Sequence, residues 1–172
     1  MNRNVEIKAK ARDADTIREI AAEIADRGPF IVEQEDTFFR CRSGRIKLRR
    51  FSEAEGELIY YERGNEAGPK LCTYIISRTL EPDRVRDILS KTSPVHGVVK
   101  KRRVVYTVGQ TRIHLDDVEG LGEFVELECV LSPGQDAVEG IQQIESLMER
   151  LGISKEDIID KSYIDLLSDR TV

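Results

Sequence analysis

Five stretches of this chain alternate charged and aliphatic residues with a period of two, the signature of β-strands that carry one charged face. Asn4-Val5-Glu6-Ile7-Lys8-Ala9-Lys10 sets Asn4, Glu6, Lys8 and Lys10 on one side and Val5, Ile7 and Ala9 on the other. Arg45-Ile46-Lys47-Leu48-Arg49 places three cations opposite two aliphatics, and Lys101-Arg102-Arg103-Val104-Val105 brings Lys101 and Arg103 together. Arg112-Ile113-His114-Leu115-Asp116 repeats the pattern, and Phe124-Val125-Glu126-Leu127-Glu128 sets two carboxylates on one face. A single strand of this kind needs only water on its polar side. Repetition suggests a shared polar interior: a closed or nearly closed antiparallel barrel whose aliphatic outer faces are covered by helices.

The helices are legible too. Asp13 or Asp15 can cap a helix with Ile17, Ile20, Ala21 and Ile24 on one face, ended by Gly28-Pro29. A second is expected from about Pro82 to the break at Ser93-Pro94, with Val85, Ile88 and Leu89 inward. A third, from about Asp136 to Leu151, carries Ile141, Ile144, Leu147, Met148 and Leu151 and stops at Gly152. The fourth begins near Ser154, where Ser154-Lys155-Glu156-Asp157 is a variant capping box, and runs through Ile158 and Ile159 to Tyr163 and Leu167. Strands come in runs rather than alternating with helices, so the class is α+β with an antiparallel sheet.

The 172 residues suit a single domain with one substantial core. No apolar run approaches the roughly 18 residues of a membrane span, and no apolar signal region opens the chain. An intracellular, cytoplasmic protein is therefore expected, not bound to a membrane. Cys41, Cys72 and Cys129 lack metal-ligand spacing and read as free thiols, with Cys129 packing beside Leu127. The clearest loop is Gly64-Asn65-Glu66-Ala67-Gly68-Pro69. The sequence is compatible with either a monomer or a homodimer.

A net charge of −5 argues against a general nucleic-acid binder. Even so, Lys8, Lys10, Arg45, Lys47, Arg49, Arg63, Lys70, Lys101, Arg103 and Arg112 all lie on or near the strand faces just described. Enclosed cations need an anion, because unpaired buried charge is very costly. Arginine forks and lysine point charges both suit phosphate, so a polyphosphate is the natural ligand. Glu6, Asp116, Glu126 and Glu128 would share that interior and repel the phosphates unless magnesium or manganese stood between them. A web of internal salt bridges without ligand is the competing reading of the same pattern.

Taken in order, these motifs, with Tyr106 after Arg103 and Val118-Glu119-Gly120-Leu121-Gly122 before Glu123 to Glu128, resemble the CYTH superfamily. That superfamily joins class IV adenylyl cyclases and thiamine triphosphatases, the triphosphate tunnel metalloenzymes, and the matching pieces span nearly the whole chain. The resemblance implies an eight-stranded antiparallel tunnel barrel that binds triphosphate through basic residues and a divalent metal through acidic ones. Its Glu-x-Glu-x-Lys signature falls on Asn4, Glu6 and Lys8, so a neutral amide replaces the first glutamate. Glu6, Glu126 and Glu128, with Asp116 nearby, match metal positions. Lys8, Lys47, Arg49, Arg63, Lys70, Lys101, Arg103 and Arg112 match phosphate-gripping ones.

The expected protein is an enzyme acting on an inorganic or organic triphosphate with Mg2+ or Mn2+, in which Lys8 and Glu6 stand nearest the chemistry. Hydrolysis is favoured, since nothing in the sequence marks an adenine pocket. A class IV cyclase, making cyclic AMP and pyrophosphate from ATP, is the alternative reaction, and a non-catalytic polyphosphate or nucleotide binder is the alternative class. His114 is expected to enter the tunnel as a secondary contact and His96 to lie on the surface. Tyr61 is expected inside with Glu57 and Arg63 in phase, and Phe38 and Phe39 are expected to pack a strand start.

Overall fold

A computed structural model of the protein describes residues 1–64 and 68–170. Its strands are β1 (Asn2–Lys10), β2 (Arg27–Phe39), β3 (Arg45–Ser52), β4 (Glu55–Arg63), β5 (Lys70–Thr79), β6 (Val95–Val108), β7 (Thr111–Val118) and β8 (Gly122–Val130). They close into one antiparallel barrel in the order β1-β5-β4-β3-β2-β6-β7-β8. Closure comes from β1 and β8, which pair from Asn4 opposite Val130 to Lys10 opposite Phe124. The helices are α1 (Ala14–Ile24), α2 (Pro82–Thr92), α3 (Ala137–Leu151) and α4 (Tyr163–Arg170). The expected α+β tunnel barrel with helices outside is the observed fold.

Alternation places the aliphatic half of each charged strand outward, where helices bury it. Val5, Ile7 and Ala9 of β1 join Ile113 and Leu115 of β7 and Val125, Leu127 and Cys129 of β8 beneath Ile17 and Ala21 of α1 and Ile144, Leu147 and Leu151 of α3. Cys129 is thus the packing residue that its alternation predicts. A smaller cluster gathers Phe38, Val99, Val118, Leu121 and Phe124 around Tyr163 and Ile164 of α4. Among the described residues no helix is long and apolar enough to cross a membrane.

The helix starts follow their sequence signals. Asp13 caps α1 by accepting from the Thr16 amide at 3.0 Å, and Asp136 caps α3 by accepting from the Val138 amide at 2.9 Å. Gly152 ends α3 with a left-handed φ of 67°, which a residue without Cβ adopts at no steric cost. Three expectations differ. Gly28-Pro29 lies inside β2 rather than ending α1, which stops earlier with Ala25 in extended conformation. Ile88 of α2 is 66 % exposed, because α2 meets the barrel chiefly through Pro82, with Val85 and Leu89 half-buried.

The fourth helix is also split. The capping box at Ser154 and Asp157 forms, but it nucleates only a short 3-10 turn, Lys155–Asp157. The chain then extends, Ile158 bridges Ala9, and the Ile159 amide donates to the Lys8 carbonyl at 2.8 Å. A continuous helix would keep those backbone groups for itself; spending them on the end of β1 breaks it until Tyr163. Of the expected loop at 64–69, residues 65–67 lie outside the described residues.

Gly140 lets α3 come close to the barrel, since a Cβ there would stand 2.9 Å from Val5 Cγ2 and 2.8 Å from Leu131 Cδ2. Gly140→Ala gains about 1 kcal/mol of helix propensity but overpacks against a β-branched strand residue at a cost of about 1–3 kcal/mol. A net loss is expected, read as a melting temperature lowered by a few degrees. An unchanged or raised value would show that α3 can shift off β1.

Candidate active site

The barrel interior is a cavity of about 360 Å³. Each strand contributes alternate residues to it: Asn4, Glu6 and Lys8 from β1; Gln34, Asp36 and Phe38 from β2; Lys47 and Arg49 from β3; Glu57, Tyr61 and Arg63 from β4; Cys72 and Tyr74 from β5; Lys101 and Arg103 from β6; Arg112 and His114 from β7; Glu126 and Glu128 from β8. Because β7, β8 and β1 are neighbours, Glu6, His114, Glu126 and Glu128 form one acidic wall. Across the barrel, β3, β2 and β6 are neighbours and form a basic wall of Lys47, Arg49 and Lys101, with Arg103 of β6 at the seam where β6 meets β7.

Asp36 is the centre of the basic wall. Its carboxylate, 1 % exposed, accepts from Arg49 Nε at 2.8 Å, Arg49 Nη2 at 2.9 Å, and both Lys47 Nζ and Lys101 Nζ at 3.0 Å. Burial alone would raise its pKa, but Arg49, Lys101 and Lys47 outweigh burial and hold it well below the usual carboxylate range. Three cations on one anion leave a local excess of positive charge. Burial, aided by Arg49, Arg103 and Lys47, pulls Lys101 down to about 7 despite its bond to Asp36.

On the acidic wall, cations are interleaved with carboxylates. Arg103 spans Asp116 bidentately, with both contacts at 2.6 Å, and also reaches Glu126 Oε2 at 2.5 Å. Lys8 Nζ lies 3.3 Å from Glu126 Oε1, Arg63 donates to Glu6 at 3.1 Å, and Arg112 pairs with Glu128 at 3.1 Å. Burial would lift Glu126, yet Lys8 and Arg103 hold it well below its ordinary value; burial and Glu128 instead raise Glu6, against the pull of Arg63. Lys8 is lowered by burial, which Glu126 opposes. Among the described residues, three buried polar atoms of this wall have no hydrogen-bond partner, Asn4 Oδ1, Arg112 Nε and His114 Nδ1. His114, Glu126 and Glu128 each offer one atom within 4.8 Å of the others, a grouping able to hold a metal ion. Anionic oxygens and unpartnered donor atoms on one wall fit a divalent cation.

One end of the tunnel is closed by the segment leading into α4. Tyr163 lies with its ring 3.9 Å from Lys8 Nζ and donates its hydroxyl to Asp116 at 2.9 Å. Phe124 meets that ring edge-on, with centroids 5.0 Å apart. Val32, Phe51, Ile76 and Val105 line the other end, where Ile76 is 42 % exposed.

Most residues named from sequence converge here, and the rest differ for identifiable reasons. Lys10 is on the right strand face but past the barrel rim, with Nζ 3.4 Å from the Leu121 carbonyl. Arg45 is likewise beyond the lining and forks onto Asp165 of α4. Lys70 is buried at the edge of the lining with Nζ 3.5 Å from the Asp160 carbonyl. Asp116, expected beside the metal carboxylates, spends its oxygens on Arg103 and Tyr163. His114 enters the tunnel and His96 stays exposed, as expected. Sequence reasoning missed Asp36, Tyr163 and the inward Cys72, whose thiol burial pushes up to about 12. The signal for Asp36 was the uncompensated charge of the basic strands, which demands a buried carboxylate.

The CYTH domain profile matches residues 2–163 of this chain. A protein of Methanocaldococcus jannaschii named as a candidate adenylate cyclase is 32% identical over a 178-position alignment covering 94% of this chain and 97% of that protein. Among solved structures, a protein from Pyrococcus horikoshii OT3 superposes with a TM-score of 0.84 at 27% identity, covering 96% of this chain and 99% of the other. A Hippeastrum protein, a candidate adenylyl cyclase described with a dominant triphosphatase activity, shares the fold at a TM-score of 0.65 and 13% identity over 99% of this chain and 96% of its own.

Asp36→Asn removes the common partner of Lys47, Arg49 and Lys101 and leaves three buried cations facing one another. Breaking a buried pair from one side costs about 3–5 kcal/mol, so denaturant titration should show a loss of that order. Inorganic triphosphate should stabilise this variant more than the parent, because the freed cations take the anion. A loss that triphosphate does not narrow would mean that Asp36 aligns the cations rather than merely neutralising them.

Proposed function

Because this chain belongs to the CYTH domain family, we propose that it is a divalent-metal-dependent enzyme that hydrolyses a triphosphate, inorganic or organic, inside its tunnel. One observation supports this reading most: a single cavity carries a cation-rich wall, where Lys47, Arg49 and Lys101 share the one carboxylate of Asp36, and a wall where Glu6, Glu126 and Glu128 stand together. A polyphosphate laid along the tunnel would meet Lys47, Arg49 and Lys101 on one side, with Arg103 at the seam between the two walls. Glu6, Glu126 and Glu128 would hold the divalent ion, which supplies Lewis-acid stabilisation of charge developing on phosphoryl oxygens.

The remaining work falls to the chain's own groups. Arginine forks fix the phosphates bidentately and the lysines neutralise them as point charges, which sets the terminal phosphorus in line for attack. Lys8 stands at the acidic wall against Glu126, with its pKa lowered by burial, and is placed to act on the attacking water beside the metal carboxylates. Asp116 holds Arg103, and Tyr163 shields Lys8 from solvent at the closed end. Asn4 in place of a glutamate leaves this wall one negative charge fewer, consistent with a single bound ion.

A cyclase reading has its own support, the resemblance over nearly full length to the M. jannaschii protein named for that activity. There the ribose 3′-hydroxyl attacks the α-phosphorus and pyrophosphate leaves. Incubation with inorganic triphosphate, thiamine triphosphate and ATP, each with Mg2+ or Mn2+ and followed by phosphorus NMR, separates the two. Orthophosphate from the terminal position is expected; cyclic AMP with pyrophosphate would establish the cyclase, and tight binding without product would establish a binding module. Glu126→Gln with Glu128→Gln should abolish metal-dependent turnover, and retained turnover would refute the assignment of the acidic wall.

The pH dependence of binding has a definite sign. The folded protein holds Lys101 at about 7 against an ordinary value of 10.5. The unfolded chain therefore binds more protons between those values, and this group's contribution to stability improves as pH rises across that window. A bound polyphosphate favours the ammonium, so at pH 8 triphosphate binding should take up protons. Calorimetry in two buffers of different ionisation enthalpy measures this uptake, which Lys101→Met should diminish.

A further inference from the structure

We propose that His114 is a direct ligand of the divalent ion, making the acidic wall a mixed nitrogen and oxygen site that prefers manganese or another first-row transition ion to magnesium. The inference rests on the reading that this wall holds a metal, and goes beyond it by naming a ligand and a selectivity. His114 projects from β7 between the two glutamates of β8: in the strand register it stands opposite Glu126, and Arg112, two residues earlier, stands opposite Glu128. Its Nδ1 lies 3.9 Å from Glu126 Oε2 and 4.0 Å from Glu128 Oε1. Neither separation is a hydrogen bond, and both leave room for an ion between the atoms. The side chain is 5 % exposed, and Nδ1 has no partner within hydrogen-bonding distance. A buried imidazole nitrogen aimed at two carboxylates without donating to or accepting from either is costly unless something else meets it.

The neighbouring cations do not meet it. Lys8 takes Glu126 through Oε1, Arg112 takes Glu128 through Oε2, and Arg103, which also grips Asp116, takes Glu126 through Oε2 at 2.5 Å. These contacts fix both carboxylates, with Glu128 Oε1 turned towards His114 and Glu126 Oε2 shared with Arg103. Magnesium demands hard oxygen ligands in near-ideal octahedral geometry and gives up water reluctantly, whereas imidazole raises the affinity of later first-row ions. One histidine inserted between two glutamates therefore shifts preference away from magnesium.

The test uses the intact protein loaded with Mn2+. Pulsed EPR of a sample carrying 15N-labelled histidine should show 15N couplings from a directly bound nitrogen, and His96→Gln should leave them unchanged because His96 lies exposed on β6. His114→Asn should remove the coupling and reduce the ratio of Mn2+ to Mg2+ affinity about tenfold or more, the scale on which ligand-shell changes act. Should the variant not fold, the spectrum of the unsubstituted protein decides alone. Bound Mn2+ without nitrogen coupling overturns the inference and leaves the triphosphate reading standing. Failure to bind Mn2+ with or without triphosphate overturns both.

Discussion

Charge enclosed by a sheet with no free edge is largely cut off from bulk water, and the architecture of this protein follows from the need to match it. Isolated buried ions cost several kcal/mol each even after relaxation, so the most deeply buried ionised groups on the inner faces, among them Asp36, Arg103 and Glu126, sit against opposite ones. Asp36 neutralises part of the β3 and β6 cations, while Arg103 and Lys8 do the same for Glu126. Register is fixed by this pairing. A slip of one residue in β1 would turn Glu6 and Lys8 outward beneath α3 and bring Val5 and Ile7 into the tunnel, losing ionic and apolar burial together.

Compensation is uneven around the circumference, and the unevenness creates the site. The basic wall keeps more positive than negative charge, since a single carboxylate serves three cations. On the facing wall Glu6, Glu126 and Glu128 each meet a cation, Arg63, Lys8 and Arg112 respectively, yet burial and the neighbouring Glu128 still raise Glu6 above its ordinary value. An elongated anion and a compact cation would complete the two walls respectively. Neither wall would do so if the strands were shuffled, because spatial order, not sequence order, sets β2 between β3 and β6 and β8 between β7 and β1.

Alternation made much of this legible beforehand. The inward faces of β1, β3, β6, β7 and β8, the apolar stripe of α3 and the capping residues Asp13 and Asp136 are local properties, and the sequence states them directly. Position along the barrel axis is not local. Lys10 and Arg45 obey the alternation and still miss the cavity, because a face says nothing about where a rim lies. Asp36 was hidden for a different reason: Glu33-Gln34-Glu35-Asp36 is polar on both faces, so no alternation marks it. The break before Tyr163 was equally unreadable, since it depends on β1 taking the backbone bonds that a helix would have kept. With that break came Tyr163 itself, whose position over Lys8 follows from tertiary docking alone.

The pairing of β1 with β8 has a consequence for how the molecule comes into being. Glu6 stands opposite Glu128, so β1, which finds β5 on one side, has its other neighbour more than a hundred residues downstream. At ~5–20 residues per second the wait is roughly 6–24 s, long compared with hairpin formation in microseconds. The meander of β3, β4 and β5 can assemble in that interval, but the acidic wall cannot exist until β8 has been made. Glu6 therefore meets Glu126 and Glu128 only when β8 closes the barrel against β1.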